Sequence, residues 1–185
     1  MTAPVIKTGG PGAARPAGAR GKPPVREATL ARAREVAAAV VDPEIPVVTI
    51  EDLGILRDVA FEGDTIVARL TPTYTGCPAV LAIEIDVEAA LREAGFQHVR
   101  IERVLAPAWT TDEITETGRR KLREYGIAPP AARGKGALLF ERETVACPRC
   151  GSAATSRISE FGSTACKALW RCEACREPFD YFKCL

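Results

Sequence analysis

The sequence holds a single histidine, His98, in 185 residues, and that scarcity excludes several kinds of chemistry. A carboxylate-bridged di-iron oxygenase centre draws a Glu-x-x-His pair from each of two helices, which this chain cannot supply. Ser-His-Asp and Cys-His nucleophilic arrangements would all depend on the same imidazole, and no GxSxG elbow accompanies it. His98 itself falls at the start of a strand, where a half-exposed structural role is expected. A charge excess is missing too: 25 Lys and Arg face 24 Asp and Glu, a net of +1. Without a basic surplus the chain is not expected to bind DNA or RNA, even at low ionic strength. No uncharged apolar run approaches the ~20 residues of a membrane span, and the opening "MTAPVIKTGG" has no signal-type core. A cytoplasmic protein with no membrane partner is therefore expected. The "GKG" at 134–136 lacks the upstream glycine and downstream Ser or Thr of a phosphate-binding loop.

Cysteine is what the chain does have: seven in all, six of them in residues 147–185. In a reducing compartment, clustered cysteines are metal ligands more often than disulfides. Cys147 with Cys150, and Cys172 with Cys175, have the spacing of metal knuckles, and four thiolates close a tetrahedral site. Zinc is the favoured occupant and an iron-sulfur cluster the alternative. A module this small needs such a staple to fold. "TSRISEF", "CKALWRC" and "PFDYFKC" read as its strands.

Cys166 and Cys184 stand apart from the knuckles. At roughly 3.3 Å per residue, Cys166 lies about 20 Å along its strand from Cys172, too far to share that metal. An antiparallel return would bring Cys184 within about 7 Å of Cys166, the reach of a disulfide or of a second or labile metal site; the alternative is two unrelated core thiols.

The rest of the chain divides by composition and periodicity. Residues 1–26, rich in Gly, Pro, Ala and Arg, read as a disordered tail. Residues 27–128 read as an α+β domain of order α-β-β-α-β-α. Its first helix carries Leu30, Ala33, Val36, Ala37, Val40 and Val41 on one face and ends at Pro43 and Pro46. A hairpin turns at Glu62, Gly63 and Asp64. The second helix places Val80, Ile83, Val87, Ala90, Leu91 and Ala94 on one face and stops at Gly95. "HVRIERVLA" is a third strand, and a last helix is capped by Thr110 or Thr111 and closed by Gly126. Residues 129–144 are a linker, and 145–185 the four-cysteine, zinc-ribbon-like module.

Within the domain, Cys77 falls at or beside a helix N-cap, with Pro78 in the first turn, where backbone N–H groups and the helix dipole favour a thiolate. Its alternative is a small buried hydrophobe. Asp42 and Glu44 flank Pro43, which could aim two carboxylates at one point or simply close a turn with solvated acids. Thr73, Tyr74 and Thr75 share the loop of Cys77.

"VDPEIPV", "LTPTYTGCPA" and "APAWTTDEITETGRRKLREYGIAPP" resemble the iron-sulfur assembly domain of cytosolic iron-sulfur targeting factors and bacterial Suf-associated proteins. With "EFGSTACKALWRCEACREPFDYFKC" added, the chain resembles one subfamily, the D subunits of phenylacetyl-CoA epoxidase, the PaaD family. The resemblance implies that Asp42, Glu44 and Cys77 are the functional positions of the assembly domain and that the cysteine-rich end is a metal-binding ribbon. It further implies a component, not itself catalytic, that matures a ring-epoxidising oxygenase of phenylacetate degradation or delivers iron or a cluster to it. Its partners would be the other epoxidase subunits, including the reductase, with a homodimer left open. A stable structural or regulatory subunit is the rival reading, and a zinc-ribbon nucleic-acid binder a weaker one.

Overall fold

The computed structural model describes residues 23–74, 76–130 and 144–183. Most of the expected tail, most of the linker, Thr75 and Cys184 lie outside the described residues, and with Cys184 lies its expected pairing with Cys166.

Helix α1 runs from Pro23 to Ala38, so residues 23–26, assigned to the tail by composition, are helical. Ala33 and Ala37 are fully buried, and two alanines let the helix approach the sheet closely. The helix stops well before Pro43, and Val41, which forms an isolated bridge with Thr49, is about half exposed at 47%. The apolar face therefore ends at Val40, because chain past Ala38 no longer follows the helical period.

Strands β1 (Leu56–Glu62) and β2 (Thr65–Leu70) pair antiparallel across a Gly63–Asp64 turn, with Glu62 opposite Thr65. Helix α2 (Ala79–Glu93) then crosses over, and β3 (Val99–Arg103) returns parallel to β2, which becomes the central strand. A parallel return requires such a crossover. Val80, Ile83, Val87 and Leu91 of α2 are buried in the core. An ionic lattice joins the three strands: Arg69 reaches Asp58, Glu62 and Glu102, and Arg100 reaches Glu62 and Glu102.

The last helix begins later than its sequence suggests. Residues Thr111–Glu113 form a single 3₁₀ turn, and α3 spans Glu116–Tyr125, capped by Thr115, whose hydroxyl accepts from Gly118 N–H. Buried Ile114 separates turn from helix and anchors both to the core. Gly118 permits the contact of α3 with the 49–53 loop, since a Cβ there would sit 2.6 Å from the Asp52 carbonyl oxygen. Gly126, at φ 95, ends the helix.

The cysteine-rich end does not stand apart. Strand β4 (Ile127–Ala128), directly after α3, pairs parallel with β7 (Pro178–Phe182), which pairs with β6 (Lys167–Cys172), and that with β5 (Thr155–Ser159). Phe182 and Cys166 belong to the same buried cluster as the core of the α+β layer. The Phe182 ring sits 6.1 Å from that of Trp109, whose indole N–H donates to the Leu53 carbonyl at 2.8 Å. The ribbon thus borrows a strand from the domain and completes its core. A separate cluster of Val145, Cys147, Ala168, Trp170, Cys172, Phe179 and Tyr181 holds the far side of the ribbon together.

Candidate metal centre and thiol cluster

Two knuckles bring the four ribbon thiols together. In the first, Cys147 N–H donates to the Ser152 carbonyl and Gly151 N–H to the Cys147 carbonyl; in the second, Cys172 N–H donates to Glu177 and Arg176 N–H to Cys172. The residue after each second cysteine takes a left-handed backbone, Gly151 at φ 75 and Arg176 at φ 67. The two turns are therefore copies of one geometry. Cys147 Sγ lies 3.8 Å from Cys175 Sγ and Cys150 Sγ 3.6 Å from Cys172 Sγ, and all four ligand atoms fall within 4.8 Å of one another. A tetrahedral ion with metal–sulfur bonds of about 2.3 Å separates its sulfurs by about 3.8 Å. The quartet is a metal-binding arrangement with single-ion spacing.

The protons of this quartet are unevenly held. Hydrogen bonds from the N–H groups of Cys175 and Ala174 draw the Cys172 thiol down to about 6. Cys175 accepts from Glu177 N–H, but the sulfurs of Cys172, Cys150 and Cys147 crowded beside it push this exposed thiol up to about 12. Cys172 is thus favoured as the anion and Cys175 as the thiol, and an incoming cation displaces the remaining protons.

The second group of functional side chains lies where the ribbon meets the domain. Cys77 is half-buried and lies beside the helix cap, one residue before Pro78, which caps α2, and Val80 N–H donates to the Cys77 carbonyl. Asp42, Thr73 and Cys77 line a cavity of about 20 Å³ together with Ile55, Leu70, Pro72, Val80 and Ile83, room for about one water. Asp42 Oδ1 accepts the N–H groups of Glu44 and Ile45, both at 2.8 Å. Burial raises its pKa against those hydrogen bonds. The two carboxylates do not converge equally: Asp42 is committed to closing the turn, and Glu44 alone projects onward.

Glu44 projects to Cys166. Its Oε2 lies 3.7 Å from Cys166 Sγ, which also meets Thr164 Oγ1 at 3.0 Å. Burial pushes the Cys166 thiol up to about 11, with Thr164 opposing and Glu44 adding to the rise. Burial also raises the Tyr74 phenol, to about 12, and Cys77, Cys166 and Glu44 all act on it in the same direction. Lys167 is buried with its ammonium 3.8 Å from Asp180, and its charge favours the anionic forms of both Asp42 and Cys166. Spacing along the chain carries no sign that Cys166 meets Glu44, 122 residues away. His98, one residue before β3, is exposed rather than half-exposed as expected.

These roles make opposite demands at position 42. Asp42→Asn should keep the turn and much of the stability, because the amide oxygen still accepts both N–H groups. Asp42→Ala should cost about 1–3 kcal/mol by orphaning them. Urea titration of the two variants separates the outcomes, and equal loss in both would assign Asp42 a role that needs its charge.

Residues 31–102 match the family model of iron-sulfur cluster assembly proteins, and residues 131–183 that of the PaaD zinc beta ribbon domain. An Escherichia coli (strain K12) protein, provisionally named among the D subunits of 1,2-phenylacetyl-CoA epoxidase, is 54% identical over 144 residues, covering 78% of this chain and 86% of its own. The chain belongs to the PaaD family. Two solved structures each cover about half of this PaaD-family chain. A domain of unknown function from Bacillus anthracis is 29% identical with a TM-score of 0.47, covering 52% of this chain and 92% of its own. A Mycobacterium tuberculosis protein, described as associated with Fe-S complex assembly and repair, is 36% identical with a TM-score of 0.30, covering 54% and 84%.

Proposed function

We propose that this PaaD-family protein is a non-catalytic accessory component of a phenylacetyl-CoA epoxidase, acting through Cys77 to supply iron or an iron-sulfur cluster to the oxygenase or its reductase. The observation that carries this reading is the thiol and carboxylate cluster around Cys77, built on an assembly-type domain in a chain 54% identical to a named epoxidase subunit. Its chemistry suits a soft or borderline cation, which thiolates bind more tightly than do carboxylates alone.

Two features support a role outside the catalytic step. The cavity beside Cys77, about 20 Å³, is far too small for an acyl-CoA thioester. The wider groove lined by Val25, Ala28, Thr29, Arg32, Ala94, Gly95 and Phe96 carries no acid, thiol or imidazole. Within the ribbon, zinc is the ion of choice. Sulfur separations of 3.6 and 3.8 Å match four thiolates on one small ion, whereas a four-iron cluster spreads its thiolates over separate irons. Zinc here has no open position and serves the fold.

Cys77→Ala, co-expressed with the other epoxidase subunits, should lower oxygenase activity and the iron content of the purified complex while leaving this protein's melting temperature close to wild type. Wild-type activity and iron content together would overturn the delivery role. The rival reading, a permanent structural component, draws on Leu81, Ile85 and Leu105, large apolar side chains 63%, 58% and 62% exposed. A component bound through such a surface should co-purify at constant stoichiometry with the mature complex, whereas a delivery factor should be removable once its partners are loaded.

A further inference from the structure

We infer that Cys77 of the assembly domain and Cys166 of the ribbon, with Glu44 between them, form a second metal site shared by the two halves of the chain, one that takes a thiophilic divalent cation such as Fe²⁺. This deepens the proposed function, naming the ligands of the cargo, and rests on it for the identity of that cargo.

The argument starts from spacing. A tetrahedral ion with a metal–sulfur bond near 2.3 Å and a metal–oxygen bond near 2.1 Å separates those two ligands by about 3.6 Å. Cys166 Sγ and Glu44 Oε2 stand 3.7 Å apart, already at the edge length of such a site. The backbone of Glu44 is held in place, because its N–H donates to Asp42 Oδ1 and its neighbours Asp42 and Ile45 are buried. Asp42 in turn lines one cavity with Cys77. Tyr74 and Cys77 pack against the same buried cluster that contains Cys166, so the ribbon thiol and the assembly-domain thiol belong to one junction. Cys166 is only 6% exposed and its backbone carbonyl is fixed by Lys183 N–H, so the ribbon presents its thiol to the assembly domain from a rigid support.

The two sites differ in readiness. Among the described residues, only the ribbon quartet has three or more ligand atoms already within 4.8 Å of one another. At the shared site, Cys166 and Glu44 are in place and Cys77 must turn toward them. Binding also displaces the thiol protons to solvent. A site that must rearrange and deprotonate holds its ion less tightly than a preformed one, and three protein ligands leave one position for a water or a partner's donor. Retention in the ribbon and exchange at the shared site follow from the same ligand chemistry in two states of preorganisation.

The test uses the full-length protein with its ribbon loaded with zinc, titrated anaerobically with Co²⁺ alone. Cobalt does not displace zinc from thiolates, and its thiolate charge-transfer absorption reports sulfur ligation. Wild type should take up one further equivalent with such a band. Cys77→Ser, Cys166→Ser and Glu44→Gln should each weaken uptake by about tenfold or more, the two serine variants also losing band intensity, with ribbon zinc unchanged. No uptake beyond the ribbon zinc, or a Cys166→Ser titration identical to wild type, would overturn the shared site. Near-UV circular dichroism of Trp109 checks folding; should Cys166→Ser fail that check, half-buried Glu44→Gln decides, and wild-type affinity there refutes the proposal. Activity of the co-expressed oxygenase separates this inference from the reading beneath it. Cobalt binding lost in Cys166→Ser while the oxygenase matures normally would overturn the delivery reading of the site. Maturation lost in Cys77→Ala with no cobalt bound by wild type would leave the delivery reading standing and refute the shared site.

Discussion

Cys172→Ser should be purified without its ribbon metal and should melt roughly 10 °C or more below wild type. Structural zinc in small four-ligand modules contributes about 10–16 kcal/mol of apparent binding free energy, most of it realised as folding. Three thiolates forfeit the closed tetrahedral shell. A chain of this size changes its melting temperature by about 2–4 °C per kcal/mol, so even a partial loss is measurable. The four cysteines allow the metal's share to be isolated. Cys147 and Cys172 are buried, at 2% and 0% exposure, whereas Cys150 and Cys175 are exposed. Serine at Cys150 disturbs no packing, so destabilisation common to all four variants belongs to the ion and any excess at Cys172 to its place in the ribbon core. Metal analysis at wild-type stoichiometry in all four variants would refute the site. The damage should also pass into the assembly domain, because β4 follows α3 directly and pairs with β7. Broadened Trp109 signals in the metal-free variant would report that spread.

The α+β class was legible because each element has its own periodicity. α2 buries Ile83, Val87 and Leu91 at helical spacing, the hairpin has Gly63 at a left-handed φ of 63 where its turn needs it, and two Cys-x-x-Cys turns announce themselves by local spacing. Helix ends were less legible. Thr110, Thr111 and Thr115 are all competent caps, and only the burial of Ile114 decides for Thr115. α1 closes at Ala38 rather than Pro43 because Ile50 N–H donates to the Val40 carbonyl, a contact made possible by a loop that no local pattern describes. The relation between the halves was the least legible. Ile127–Ala128 is too short to read as a strand, and its partner lies some fifty residues later. Cys166 was assigned to the far end of the ribbon on strand length alone, and it does precede β6. What occupies that far end is the assembly domain, and long-range docking leaves no period in a sequence.

Phe182→Ala should uncouple the two halves while leaving the ribbon metal in place. The ring is 1% exposed, sits 6.1 Å from Trp109 at an interplanar angle of 54°, and completes the assembly domain's core from the ribbon side. Truncating a buried phenylalanine costs about 3–5 kcal/mol, a large part of the roughly 5–15 kcal/mol that holds a typical domain. The knuckle thiols should not sense the loss directly, since Phe182 pairs with Lys167 at one end of β6 and Cys172 lies at the other. Metal content should therefore stay at wild type as the melting temperature falls by roughly 10 °C. Cys166 provides a second readout. Its thiol is buried at this junction, and once the ring is gone an electrophilic thiol reagent should label it many times faster than in wild type, while the bound metal shields the four knuckle sulfurs. Peptide mapping by mass spectrometry assigns the label. A melting temperature within about 2 °C of wild type, with Cys166 still protected, would mean that the β4–β7 pairing holds the ribbon in place without Phe182. Loss of the ribbon metal together with the melting temperature would instead tie the metal centre to the junction, and the separation of a retaining site from an exchanging one would fail.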